Sequence, residues 1–491
     1  MSADSRNSRR SGRGPASSRQ SRGRSHRTPA MSARRIAYEA IQAYERRGIF
    51  VADTLSRLFT SENVAGADRR LATELACGTV RRRLTLDAIL AAYCSRPLPE
   101  LDLVVKLVLR LGLNQLLFAD RIPTHAAVDE SVGLCRELKQ PAATGLINGV
   151  LRNIAREIET GAKSVQSLAD CSGELIIRTI DGPAPPYEGV QFARPIAPNP
   201  RLKPAEYLSV VTSLPLWLVQ HWLPHHSPDD ILRMGMWFDT PGKVGVRVNL
   251  LRTTRDRALD ALQKDGIVCL PGELPESIIP DRTFAVEDAP GFTDGWFTIQ
   301  DESAMRVVDA LKPQPGERIL DLCAAPGGKS THVAERMQDQ GHVIACDIVP
   351  ERLALVGQAA ARLQLKSVEL RNINSDGTKI PPGPYDAVLV DAPCSNTGVL
   401  GKRPEARWRL EQDSLSNLIP VQQQLLERAV DLVRPGGRVM YSTCSIEPEE
   451  NQQVVRSVVS QYPGLELVDE VLSLPGVAGD GGYRALLRKS I

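Results

Sequence analysis

Two hydrophobic rhythms divide the chain. From residue 31 to about 160, apolar residues recur every three or four positions. Ile36, Ala40 and Ile41 stripe one face of a helix over Ala33–Tyr44. Asp68–Val80 predicts a second helix, Leu101–Ala119 a third, and Leu146, Val150 and Ile154 mark a fourth. Leu101–Ala119 is the most apolar stretch, but Lys106 and Arg110 stand one turn apart in it, so it predicts a buried amphipathic helix rather than a membrane span. From residue 301 the rhythm changes. Short apolar runs at 318–323, 342–347, 367–371, 385–391 and 437–442 alternate with helical stretches, the pattern of a doubly wound parallel sheet. Asp480–Arg488 predicts a turn and a closing strand.

Between these halves, residues 161–205 are rich in proline and predict a semi-rigid linker. Residues 206–300 predict a small α/β piece, with an amphipathic stretch at Leu214–Trp222, a strand at Val244–Leu250 and a helix at Thr253–Leu262.

Charge adds one distinction. The net +2 hides a tail at 1–30 with eight Arg and one Asp, hence +7, which leaves −5 for the rest. That Ser/Arg/Gly tail holds too little apolar surface to fold and is a candidate RNA-binding arm or a solvated extension. Nine cysteines, scattered, odd in number and never in a CxxC pair, argue against a disulfide framework and against a zinc site, and fit a reducing cytosol; no metal is expected. The N-terminus has no apolar run of the kind a signal peptide needs.

The chemistry concentrates at the ends of the predicted strands, where ligands of doubly wound sheets bind. After the first comes Cys323-Ala324-Ala325-Pro326-Gly327-Gly328-Lys329, a sharp turn into a helix whose first N–H groups suit an anionic ligand. A phosphate loop fails on glycine spacing, and G-x-G-x-x-G is absent. After the second comes Asp347, placed to accept ribose hydroxyls; after the third comes Asp376, placed to accept an adenine amino group. After the fourth comes Asp391-Ala-Pro-Cys394, and after the fifth Tyr441-Ser-Thr-Cys444-Ser.

Together these segments resemble motifs I, IV and VI of the RNA cytosine-C5 methyltransferases, the Nop/Sun family. Residues 31–160, with Asp68-Arg69-Arg70, Pro123–Glu130 and Gly149–Asn153, resemble the NusB-like RNA-binding domain that precedes the methyltransferase in its bacterial ribosomal branch. The resemblance implies a Rossmann-like class I methyltransferase domain at 301–491, behind an all-helical domain and a small α/β domain. It implies S-adenosyl-L-methionine as cofactor, held by Cys323 to Lys329, Asp347, Asp376 and Asp391. It implies Cys444 as the nucleophile on cytosine C6, Cys394 as the aid to product release, and Asp391 as the group facing N3.

The chemistry requires a thiolate, a strong nucleophile that also leaves well, because C5 becomes nucleophilic only after addition at C6. Strands four and five should be neighbours, which would bring Cys394 and Cys444 into one cleft. Which of the two attacks is set by the family's pattern, not by chemistry. Cys323 and Cys346 are expected to pack in the sheet. Further candidate RNA contacts are Arg81, Arg82 and Arg83, then Arg247 and Asn249, then the basic loop of Lys402, Arg403, Arg407, Trp408 and Arg409, although residues 31–160 hold eighteen basic against fifteen acidic residues. The expected partner is small-subunit ribosomal RNA, naked or in early assembly, acted on by a monomer; the alternatives are transfer RNA as substrate, or an inert RNA-binding assembly factor.

Overall fold

The computed structural model describes residues 31–491 apart from 65, 172–173, 180–183, 241, 243, 283 and 478. The expectation for the tail at 1–30 lies outside the described residues. The helical half is present, with helices at Ala33–Arg47, Val51–Ser61, Gly66–Arg81, Arg83–Tyr93, Leu103–Phe118, Thr124–Glu137 and Thr144–Gly161. The first begins at Ser32, whose side chain accepts from the Arg35 N–H, and stops at Gly48, left-handed at φ 67°. The apolar helix Leu103–Phe118 tolerates buried Arg110 because Asp87 takes its guanidinium on two oxygens, each at 2.7 Å, and Glu45 takes the third bond at 3.0 Å. Among the described residues no helix is long and apolar enough to cross a membrane.

The predicted linker is corrected by the structure. Ala162–Val165, Leu175–Thr179 and Tyr187–Val190 form a three-stranded antiparallel sheet. Val165, Leu175, Ile176, Tyr187 and Phe192 bury in the same core as the helices. Proline composition misled here because the prolines of 194–204 fall beyond the last strand, where they interrupt no ladder.

The expected α/β piece divides in two. Helices at Pro204–Thr212, Leu216–Trp222 and Pro228–Asp239 pack their apolar faces into the helical core through Tyr207, Leu218, Trp222 and Phe238. Only the later part is a separate layer. Strands Val246–Val248, Cys269–Pro271, Ser277–Pro280 and Phe297–Ile299 form a four-stranded sheet, with helix Arg255–Lys264 against it.

The last unit carries a seven-stranded sheet. Its strands are β1 (Arg318–Asp321), β2 (His342–Asp347), β3 (Val368–Asn372), β4 (Tyr385–Asp391), β5 (Val433–Thr443), β6 (Leu465–Ser473) and β7 (Gly482–Lys489). The spatial order is β3-β2-β1-β4-β5-β7-β6, with the first five parallel and β7 antiparallel to both neighbours. Alternation on β1 feeds two cores, Leu320 into one and Ile319 into the other, so the sheet is covered on both faces. Strand order reverses between β1 and β4, and that crevice is the switch point at which such sheets bind ligands.

Candidate active site at the switch point

The β1 turn is shaped by Gly327. Its φ of 108° is a conformation that side chains rarely adopt, and an added Cβ would lie 3.0 Å from the Cα of Val356. Helix Gly328–Arg336 starts directly after it. Behind the turn, Asp321 is buried and accepts from Ser330 Oγ at 2.6 Å. Burial pushes its carboxyl up to about 7. Asp347 braces the same turn, its two oxygens accepting from the Ala325 N–H at 3.3 Å and the Val349 N–H at 2.9 Å. Burial, then the carboxylates of Asp321, Asp391 and Asp347, push the Cys323 thiol well up, so three acids converge on this pocket wall. Cys346 packs in the sheet, with its thiol pushed up to about 12 by burial. Asp376 stands apart. It is exposed in the turn after β3 and accepts from both the N–H and the hydroxyl of Thr378, bonds that hold its carboxyl below the usual range.

Asp391 joins three strand ends. Lys329 Nζ lies 2.6 Å from one of its oxygens and Ser442 Oγ donates to the other at 2.8 Å. Burial works against the Lys329 ammonium, but adjacent Asp391 outweighs it and the net shift is upward. Because β4 and β5 pair in parallel, with Asp391 opposite Ser442, the segments that follow run side by side. Cys394 and Cys444 meet there with sulfurs 3.2 Å apart, both half-buried. The hydrogen bond to Cys444, then burial, push the Cys394 thiol well up.

A polar lattice with no strong sequence signal fixes this pair. Cys444 Sγ donates to Asn396 Oδ1 at 3.0 Å. Glu450, fully buried, accepts from the Ser395 N–H at 2.9 Å, from the Ser395 hydroxyl and from Gln422 Nε2 at 3.0 Å. Thr397 Oγ1 and Ser445 Oγ are 3.1 Å apart, and Asn451 bridges Thr443 Oγ1 and the Ser445 carbonyl. Acids crowded just after a strand that ends in cysteine hint at Glu450; Gln422, in mid-helix, offers no hint. Farther back, Glu447 accepts from the Trp222 indole at 2.9 Å and lies 3.1 Å from His221 Nε2, which ties the helical half to the Cys444 loop.

Most candidate RNA contacts are buried clamps instead. Arg247 is wholly buried, bound to Glu335, Gln300, Thr331 Oγ1 and the Gly328 carbonyl. Asn249 is buried as well and donates to the Leu363 carbonyl. Arg81 donates to the Gly401 carbonyl and Arg82 to the Asp239 carbonyl. Arg407 is buried between the Arg81 carbonyl and the Asp239 carboxylate. Trp408 donates to the Val80 carbonyl while Arg83 stacks on its ring at 4.0 Å. Lys402 pairs with Asp301 and Asp480, and Arg409 reaches the Gly48 carbonyl. Arg407, Trp408 and Arg409 lock the helical half to the catalytic half, while Lys402 pairs within the catalytic unit; Arg403 alone of the loop's candidates is both exposed and outside these clamps.

Comparison with known proteins agrees with this arrangement. Residues 308–480 match the family model for 16S rRNA methyltransferase RsmB/F, and residues 31–156 match the NusB family. A probable ribosomal RNA small subunit methyltransferase B from Synechocystis sp. is 30% identical over 436 residues, covering 88% of this chain and 90% of its own. The ribosomal RNA small subunit methyltransferase B of Yersinia pseudotuberculosis is 33% identical over 469 residues, covering 93% and 98%. The crystal structure of PH0851 shares the fold at 24% identity, with a TM-score of 0.70 over 93% of this chain and 98% of its own. With the helical unit, the switch-point crevice and full-length relatives in agreement, the chain belongs to the 16S rRNA methyltransferase RsmB/F family.

Proposed function

We propose that this protein methylates carbon 5 of a cytosine in small-subunit ribosomal RNA, with S-adenosyl-L-methionine as methyl donor and a covalent link from Cys444 to C6. One observation carries the reading: two cysteine sulfurs 3.2 Å apart at the ends of adjacent strands, in the crevice that also holds the Lys329–Asp391 pair. The residues present fit the donor. The glycine turn leaves backbone N–H groups at a helix start for a carboxylate, and Asp347 and Asp391 supply the negative field that a sulfonium cation prefers. When bound, the donor supplies an electrophilic methyl group.

The chain's own residues do the rest. Cys444, as thiolate, forms a bond to C6, and C5 becomes enamine-like. Asp391, oriented by Lys329 and Ser442, hydrogen-bonds the N3 edge and stabilises charge as addition proceeds. After C5 has gained its methyl, water takes the C5 proton, the C5–H electron pair restores the ring double bond, and the S–C6 bond breaks with its pair on sulfur. Cys394 keeps its proton at neutral pH, because Cys444 and burial raise its pKa, and assists release by donating it to the departing sulfur. The target cytosine must be unpaired or extruded to reach the crevice. The unit matching the NusB family serves as the RNA-docking part, and a ribosomal substrate places the protein in the cytoplasm.

Bisulfite sequencing of ribosomal and transfer RNA tests this reading. In a strain lacking the gene, one 16S cytosine should lose protection, regained with the wild-type gene but not with Cys444→Ala. Protection regained with Cys444→Ala, or lost only in transfer RNA, would overturn it.

A further inference from the structure

Asn396 lies between the two cysteines, in a conformation unusual for any residue but glycine. Its backbone is left-handed, at φ 63° and ψ 23°, which asparagine tolerates better than most side chains. It precedes the short turn Thr397–Val399, and its side chain folds back over the ends of β4 and β5. Nδ2 donates to the Cys394 carbonyl at 2.8 Å, and Oδ1 lies 3.0 Å from Cys444 Sγ. The first bond dictates the second. Rotating the amide by half a turn would set oxygen against the Cys394 carbonyl oxygen, so Cys444 meets an acceptor. A thiol satisfies that acceptor and a thiolate does not.

The other titratable groups facing the cysteine pair are Lys329 from the helix after β1, Asp391 from β4, Tyr441 from β5 and Glu450 from the loop after β5. Lys329 is the one cation among them, and Asp391 already pairs with it. The amide oxygen, held in a fixed direction by the bond from its own Nδ2 to the Cys394 carbonyl, sets where the Cys444 sulfur points.

We propose that Asn396 is a positioning residue for methyl transfer, holding the Cys444 sulfur in one rotamer as the target base is seated. This rests on Cys444 being the nucleophile. The useful variant is Asn396→Gly, since glycine adopts the left-handed backbone without strain and the loop can keep its path. The readout is iodoacetamide alkylation of the Cys444 peptide against pH, followed by mass spectrometry on the full chain without RNA, beside steady-state methylation kinetics.

Losing the acceptor frees the sulfur and should speed alkylation about fivefold at neutral pH. In the same variant, kcat on RNA should fall about tenfold with KM unchanged, because the sulfur is no longer aimed. A merely structural role would not raise one reactivity while lowering the other. Unchanged or slower alkylation in Asn396→Gly overturns the proposal. Alkylation does not require methyl transfer: if Cys444→Ala still methylates RNA, the catalytic reading fails by that result, whereas the alkylation profile separately decides whether Asn396 governs the thiol.

Discussion

Lys329 Nζ sits 2.6 Å from Asp391 Oδ2, a contact between the helix after β1 and the end of β4 that spans the switch point of the sheet. The pair fixes the direction of the Asp391 side chain and compensates a half-buried ammonium. If the two act as one unit, removing either should cost about as much as removing both. Asp391→Asn and Lys329→Met should each lower single-turnover methyl transfer by about two to three orders of magnitude, with the double variant barely lower. Single-turnover rates on ribosomal RNA, with RNA affinity measured in parallel, check this.

Arg407 and Arg403 belong to one basic loop but do different work. Arg407 is buried against Asp239, and burial lowers its pKa to about 10, so it remains charged at neutral pH. Arg407→Met would strand Asp239 and should destabilise the junction by about 3–5 kcal/mol. Denaturant unfolding reads that loss. Arg403→Ala should leave stability unchanged but reduce the salt slope of RNA affinity by about one. Equal effects from both would contradict the division.

Asp321 gives the pH dependence a definite sign. Below about pH 4 its carboxyl is protonated in both folded and unfolded chains. Between about 4 and about 7 the folded protein keeps a proton that the unfolded chain has lost, so this group's stabilising contribution declines as pH rises. Above that range the buried charge is fully felt, a span of about 4 kcal/mol. Asp321→Asn should therefore be more favourable relative to wild type at pH 8 than at pH 4, by chemical denaturation at each pH.

The sequence exposed those features that depend on local spacing. The five parallel strands, the glycine turn, and the meeting of Cys394 with Cys444 all follow from apolar runs and from what ends each run. Pairing at a distance was hidden. Arg247 reads as a surface residue until Glu335, 88 positions later, is brought against it. Arg407 looks like a phosphate ligand until its burial against Asp239 is known. The edge strand Leu465–Ser473 escaped because its exposed Glu466 and Asp469 and its half-buried apolar residues dilute the alternation. Proline content hid the small sheet at 162–190, since composition does not say on which side of a ladder a proline falls.

The central claim is that the sulfur of Cys444 bonds to the RNA base, and trapping that bond tests it most directly. Cys394→Ala protein, incubated with S-adenosyl-L-methionine and 16S ribosomal RNA, should accumulate a denaturation-resistant adduct because release is slowed. After nuclease and protease digestion, mass spectrometry should place a methylated cytidine nucleotide on the Cys444 peptide. No adduct, or one attached to a different residue, would contradict the account.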